Sequence, residues 1–548
     1  MAAPTEVGRT DDELDRELRA DGVELYDTTL RDGTQREGIS PTVDDKLVIA
    51  RAIDELGVDW IEGGWPGANP KDTEFFARCA AGELELTRAG LVAFGMTRRP
   101  DAAAAGDAQL DALLEAATGT VCLVAKSSPL HVTEVVGTTL DENLAMVADS
   151  VALLRAEGRR VLVDAEHFFD GHLLDAAYAE QVLAAAAEAG AETVVLCDTN
   201  GGMLPHRVET VVAGVRDRLD RDVRLGVHAH DDTDCAEANS LAALRAGARH
   251  VQGTVGGIGE RCGNADIVSI IANLQLKLDV QVVSDEQLAR LTRVTNEIAE
   301  TMNLTPDAHH PYVGRAAFAH KAGLHASGLA RRADAYQHVE PERVGNSLRM
   351  LMSELAGRST VRMKGEELGI DLPDDGEALD RVVARVKELE HQGWSFEAAD
   401  ASFELLVRRE TGDPVAPFGL ESFRAIVERP ADGEAASEAT VRVQLDGERL
   451  LGAGEGNGPV DALDHAFRQA VNGRLPQLER IELVDFKVRI LDGGAGTAAT
   501  TRVLVTSTDG ERTWETIGVS PNIIEASWLA LADAYAYGLD RLARGRAR

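Results

Sequence analysis

"YDTTLRDGTQREG", residues Tyr26 to Gly38, is the stretch on which the fold turns. The run Val23-Glu24-Leu25-Tyr26 reads as a short strand, which then breaks into Asp27, two threonines, Arg31, Asp32 and Gly33. Successive side chains on a strand point to opposite faces, so Arg31 and Asp32 cannot both serve a core. A strand-to-helix loop carrying a solvated salt bridge is the plain alternative, and the rest of the chain has to decide.

Downstream, apolar strand-like runs alternate with helical patterns: "VELYDT" (23–28), "DWIEGG" (59–64), "GLVAFG" (90–95), "TVCLVAK" (120–126), "RVLVDAE" (160–166), "TVVLCDT" (193–199), "RLGVHAH" (224–230) and "HVQGTV" (250–255). Between the first two, "TVDDKLVIARAIDELG" has helical spacing, with Thr42 placed to cap its start and Gly57 to end it. Eight strand–helix repeats point to an α/β fold, a (β/α)8 TIM barrel, with a doubly wound sheet as the competing arrangement. The barrel gives a reason for the next pattern. Arg31 and Asp32, Glu62, Lys126, Glu166, Asp198 and Thr199, and His228 and His230 all fall where strands end, as does the loop 256–264. In such barrels reacting groups sit at the C-terminal ends of the strands.

The expected organisation is an acidic N-terminal tail (1–22), a barrel (23–283), a helical region (284–419) and a C-terminal α+β domain (420–548). In the last of these, 439–471 and 500–539 share a plan of strand, turn, strand, Gly/Pro-containing break and apolar helix, a weak two-fold repeat. The breaks are read at "GAGEGNGP" (452–459) and "IGVSPN" (517–522).

The bulk numbers narrow the class. The chain has 548 residues, too many for one core. A formal net charge of −36 argues against wrapping nucleic acid or an anionic membrane. No apolar run is long enough to span a bilayer, and the first residues lack the apolar segment of a signal peptide. Five cysteines without paired spacing suggest reduced thiols and a cytoplasmic protein.

"GVHAHDD" places His228 and His230 two apart, on one face of a strand, so both imidazoles can reach one metal ion. Alone, the pair fits buried structural histidines equally well. With Asp32 it becomes a borderline-hard donor set for Zn²⁺, Mn²⁺, Co²⁺ or Mg²⁺, and Arg31 becomes a fixed cation beside developing negative charge.

"YDTTLRDGTQREG", "GVHAHDD" and "GGIGERCGNAD", in that order, resemble the DRE-TIM metallolyases, the superfamily of 2-isopropylmalate, homocitrate and citramalate synthases and 3-hydroxy-3-methylglutaryl-CoA lyase. "EGGWPGANPKDTEFF", "DAEHFFDG", "CDTNGG", "HVEPERVGN" and "GWSFEAADASFELL" look most like the citramalate-synthase branch. The resemblance implies Asp32, His228, His230 and Asn264 at a divalent metal and Arg31 on the 2-oxo acid. It implies Thr199 on the substrate carboxylate, Glu166 as a catalytic carboxylate, and His325 and Tyr336 acting on acetyl-CoA. It further implies condensation of acetyl-CoA with pyruvate, a homodimer, and a C-terminal domain that binds an amino-acid feedback inhibitor, isoleucine by expectation. Two positions depart from the branch. Asp164 stands where some citramalate synthases have tyrosine, and Ser327 stands where an aspartate follows the catalytic histidine by two.

Within the same branch of chemistry, a larger oxo acid would make the chain a 2-isopropylmalate or homocitrate synthase. A retro-aldol lyase would use the same metal without needing the C-terminal repeat. A metal-binding sensor without catalysis would not need the full set of Arg31, Glu166 and Tyr336. "GGIGE" (256–260) lacks the third glycine of a dinucleotide fingerprint and reads as a backbone turn. Lys126 fits a solvent-facing role or a ligand contact equally well. Cys262 reads as a packing residue, His167, His172 and His206 as ordinary polar positions, and Trp514, Trp528, Tyr535 and Tyr537 as core.

Overall fold

The structure, a computed structural model, describes residues 11–321, 323–329, 331–352, 357–370, 372, 376–413, 417–429, 431, 433–491 and 493–545. Eight parallel strands close in sequence order: β1 (Glu24–Asp27), β2 (Trp60–Gly64), β3 (Gly90–Met96), β4 (Thr120–Lys126), β5 (Arg160–Glu166), β6 (Thr193–Asp198), β7 (Arg224–Ala229) and β8 (His250–Gly253). β8 pairs with β1 along its whole length, so the sheet has no edge and the doubly wound alternative falls. Most strand residues are buried, as expected of strands covered by helices outside and by side chains within. Thr42 caps the helix Val43–Glu55 in a capping box with Asp45, and Gly57 follows at φ +82°.

One expectation at the N-terminus needs revision. Residues 1–10 lie outside the described residues, but Asp11–Asp21 form a helix rather than a tail. Leu18 is fully buried in the barrel's apolar core, and Asp15 and Asp21 pair with Arg245 and Arg249 at 3.3 and 3.0 Å.

The chain divides into two compact units, Met1–Phe318 with Val339–Ser347, and Ala319–His338 with Leu348–Arg548. The division at Phe318 falls inside the expected helical region, and the helix Leu291–Thr301 stays with the barrel. Among the described residues no helix is long and apolar enough to cross a membrane.

In the second unit, two short strands, β9 (Ala319–His320) and β10 (Arg349–Met350), pair in parallel. Helices Arg358–Leu368, Gly376–His391 and Asp400–Thr411 follow. Their core of Val361, Leu379, Val382, Val386, Phe396 and Phe403 also contains Ile517 from the C-terminal sheets. Polar contacts join the same two regions: Ser402 Oγ donates to Asp533 at 2.9 Å, Arg408 pairs with Asp540 at 2.7 Å, and Arg502 Nε donates to the Gly393 carbonyl at 2.7 Å.

The C-terminal repeat is real but larger than the sequence suggests. Each copy has three antiparallel strands, β11 (Phe418–Glu428), β12 (Ala436–Leu445) and β13 (Glu448–Gly456), then β14 (Glu482–Ile490), β15 (Thr501–Thr508) and β16 (Thr513–Ser520). Helices Pro459–Ala470 and Ile523–Gly545 follow the two sheets. β11 and β14 leave no strand signal in the sequence because they are mostly exposed and show little apolar alternation. "GAGEG" is not a break but the end of β13, and "IGVS" is the end of β16. Their glycines are there for close approach: a Cβ on Gly454 would lie 2.5 Å from Ala466 N, and one on Gly518 would lie 2.0 Å from Ala526 O. Each helix therefore rests its backbone on its strand. Between these two helices, Phe467 stacks on Tyr535 at 5.1 Å and meets Trp528 edge-on at 5.6 Å, so these aromatics are core as expected.

Gly518→Ala should therefore force the helix Ile523–Gly545 off its sheet. Overpacking against backbone costs about 1–3 kcal/mol, and denaturant unfolding followed by tryptophan fluorescence should show the loss as a lower midpoint.

Candidate active site

The site begins where β1 stops. The amides of Arg31, Asp32 and Gly33 all converge on the Thr28 carbonyl, at 3.1, 2.9 and 3.1 Å. Asp27 accepts from Thr29 N and Oγ1 at 2.9 and 2.8 Å, and burial pushes its carboxyl up to about 7. Thr29 Oγ1 in turn accepts from Val255 N at 2.8 Å, tying this turn to the loop after β8. The turn so braced carries Arg31 and Asp32 to the mouth of the barrel.

Arg31 is held on three sides. Nε donates to Glu62 Oε2 at 2.5 Å, Nη1 lies 3.3 Å from Asp32 Oδ2, and the guanidinium sits 4.1 Å over the Phe94 ring. Burial alone would weaken its charge, but Glu62 and then Asp32 more than offset this and hold the cation well above its ordinary range. Glu62 is fully buried; burial pushes it up against the pull of Arg31, and its other oxygen accepts from Tyr26 Oη at 2.6 Å.

Asp32, His228 and His230 meet beside this pair. Asp32 Oδ2 lies 3.2 Å from His228 Nε2 and 3.8 Å from His230 Nε2, and the two Nε2 atoms are 3.4 Å apart. Burial opposes the charge of Asp32, yet Arg31, His228 and His230 keep its carboxyl well below the usual range. His228 is raised because Asp32 outweighs its burial, while burial and then the neighbouring His228 bring His230 down to about 4. Asn264 pairs with His230 through an isolated β-bridge, and its buried Oδ1 has no partner. Two imidazole nitrogens and a carboxylate oxygen, all within 4.8 Å of one another, fit a divalent cation of the Zn²⁺, Mn²⁺, Co²⁺ or Mg²⁺ group.

Glu166 ends β5, where Lys126 of β4 contacts its carboxylate. Lys126 is therefore neither solvent-facing nor alone. Thr199, just past β6, accepts from His167 N at 2.8 Å and keeps its own hydroxyl proton to donate. His167 is less ordinary than the sequence suggests: its backbone is left-handed at φ 58°, and its ring stacks on His131 at 3.7 Å. His325 and Tyr336 belong to the second unit, where their rings stack on each other at 4.2 Å.

Sequence reasoning missed the floor of the site. Gln252 of β8 accepts at Oε1 from His228 Nδ1, 2.9 Å away, and donates from Nε2 to Asp164 at 2.9 Å. The available signal was a glutamine inside a buried strand, two residues after His250. Glu62, Cys122 and Asp164 place potential ligand atoms within 4.8 Å of one another, but both Glu62 oxygens are already bonded to Tyr26 and Arg31. Below them, burial opposes the charge of Glu24, yet His250, Arg224 and Arg160 bring it down to about 2, sealing the N-terminal end of the barrel with charge pairs.

Residues 22–298 match the HMGL-like family, 312–393 the homocitrate synthase post-HMGL domain-like family, and 397–539 the LeuA allosteric (dimerisation) domain. Over 522 residues the chain is 56% identical to a Streptomyces coelicolor protein named (R)-citramalate synthase, covering 95% of this chain and 97% of that one. Proteins of the same name from Synechocystis sp. and Aquifex aeolicus are 50% and 47% identical, each over 95% of this chain and 97% and 98% of their own.

Glu62→Ala should leave Arg31 in the barrel without its main partner. Removing one member of a buried ion pair costs about 3–5 kcal/mol, which denaturant unfolding of the purified variant should report.

Proposed function

The chain belongs to the citramalate-synthase branch of the 2-isopropylmalate/homocitrate/citramalate synthase family, and from that premise we propose that it joins acetyl-CoA to pyruvate. Hydrolysis of the citramalyl thioester then releases (R)-citramalate and free coenzyme A, a step toward isoleucine. The observation that carries this reading is the convergence of Asp32, His228 and His230 beside a fixed Arg31.

Asp32, His228, His230 and the orphaned Asn264 Oδ1 are the residues that would hold the divalent ion. When bound, such an ion supplies Lewis-acid polarisation of the ketone. The chain's own groups do the rest. Arg31, locked by Glu62 and Phe94, faces the oxygen that becomes alkoxide and needs no reorganisation as charge develops. The Thr199 hydroxyl donates to the substrate carboxylate, and Glu166, paired with Lys126, assists proton transfer at the mouth. By resemblance, His325 with Tyr336 takes the methyl proton of acetyl-CoA, giving the carbanion equivalent that attacks the ketone.

The C-terminal domain supports regulation and assembly. A cavity of about 600 Å³ is lined by Val460, Asp464, Arg468, Ile481, Phe486 and Tyr535. Its apolar walls suit a branched side chain, and the Asp464–Arg468 pair, closed on itself at 2.9 Å, would have to open to meet the charged ends of an amino acid. Isoleucine is the proposed feedback inhibitor. Leu420, Ile426 and Val427 on β11, and Val484, Val488 and Ile490 on β14, are exposed. These apolar strands are the surface on which we expect two copies to meet as a homodimer.

Release of free thiol from acetyl-CoA should be fastest with pyruvate among pyruvate, 2-oxobutyrate, 2-oxoisovalerate and 2-oxoglutarate. EDTA should abolish it, and Mn²⁺, Co²⁺ or Zn²⁺ should restore it. A higher kcat/KM with 2-oxoisovalerate would make the chain an isopropylmalate synthase, and no thiol release with any oxo acid would leave the sensor or lyase reading. Isoleucine should inhibit the full-length enzyme, and Phe486→Ala should raise the half-inhibitory concentration on the order of tenfold or more, one lost apolar wall being worth about 1.4 kcal/mol or above.

A further inference from the structure

The polar line beneath the site runs further than the proposed metal ligands. Glu24 Oε2 lies 3.2 Å from His250 Nδ1, and His250 Nε2 lies 3.5 Å from Gln252 Nε2. The same Gln252 Nε2 donates across the lumen to Asp164 Oδ1 at 2.9 Å, and Gln252 Oε1 lies 2.9 Å from His228 Nδ1. Gln252 sits directly opposite His228 in the β7/β8 ladder. Gln252 and His250 are fully buried, and Asp164 is 4% exposed, so an unmade hydrogen bond in this line would be costly.

A neutral imidazole carries one N–H, and an acceptor facing one ring nitrogen draws the proton there. A side-chain amide can present either its oxygen or its NH₂ group, and the network around it decides which. Here two acceptors claim the NH₂ end. One is the Asp164 carboxylate; the other is His250 Nε2, whose opposite nitrogen faces Glu24. The amide oxygen is what remains for His228. Were the amide turned round, NH₂ would face His228 Nδ1, the ring proton would move to Nε2, and the lone pair would point away from Asp32 and His230.

We infer that Gln252 and Asp164 are positioning residues that fix the tautomer of His228, keeping its Nε2 lone pair directed into the site shared with Asp32 and His230. The inference rests on the metal reading given above and adds two residues outside the proposed ligand set. It also gives Asp164 a task away from the substrate: holding one end of an amide whose other end aims a ligand.

The test is Co²⁺ affinity of the full-length protein, titrated by the visible absorption of the bound ion after chelator treatment and dialysis. Asp164→Asn is nearly isosteric but brings an NH₂ group that lets Gln252 turn; Gln252→Leu removes the link outright. Each should weaken Co²⁺ binding about 10- to 100-fold, the usual effect of losing a partner behind a ligand histidine. Wild-type affinity in both variants, with wild-type circular dichroism, would overturn the inference. Should either fail to fold, ¹⁵N-histidine spectra of the Zn²⁺-loaded wild type decide the matter, with the His228 signal assigned by its loss in His228→Ala. A proton on Nδ1 with the metal on Nε2 is expected, and the reverse overturns the proposal. The metal reading fails separately: in that case the wild type binds no Co²⁺, or His228→Ala binds it as well as the wild type does.

Discussion

A guanidinium taken out of water at the top of the barrel governs the arrangement of everything beneath it. Arg31 is tolerable there only because Glu62, Asp32 and the Phe94 ring surround it. Glu62 is tolerable only because Arg31 and Tyr26 take its two oxygens. The lumen is consequently tiered: charge pairs around Glu24 at the bottom, hydrogen-bonded carboxylates in the middle, and cation and ligand groups at the mouth. Among the buried atoms left without partners is Asn264 Oδ1, on the residue bridged to His230. An unpaired acceptor in otherwise satisfied surroundings is where an absent ligand is to be sought.

Much of this was legible in the chain because parallel strands buried on both faces leave a plain record. β4 and β5 occupy the residues the apolar runs mark, 120–126 and 160–166, and the strand-end ionisable residues collect at one rim. His228 and His230 could be placed together because a period of two leaves no choice. What could not be read is whatever depends on reach across the lumen. Gln252 and Asp164 are 88 residues apart, and no local pattern says that one amide joins them. Asp164 stood out only as a departure from a family pattern, with its partner unknown.

The C-terminal domain was harder for the opposite reason. β11 and β14 are exposed on both faces along much of their length, so burial does not impose the alternation that reveals a strand. The glycines at 452, 454 and 456 look like turn residues in isolation. They are there because a helix backbone lies where side chains would stand. Glycine carries opposite meanings in a turn and under a helix, and only the packing partner tells them apart.

The second unit closes one core over helices from its first half and strands from its last. Ile517 packs with Phe396 and Phe403, and Asp533 and Asp540 hold Ser402 and Arg408. The C-terminal sheets are therefore not a detachable accessory. A lineage with no further use for them could not shed them by an early stop codon without stripping the helices of their cover. It would have to keep the domain and silence it residue by residue, so that a full-length descendant testifies to a shared core and not, by itself, to surviving control.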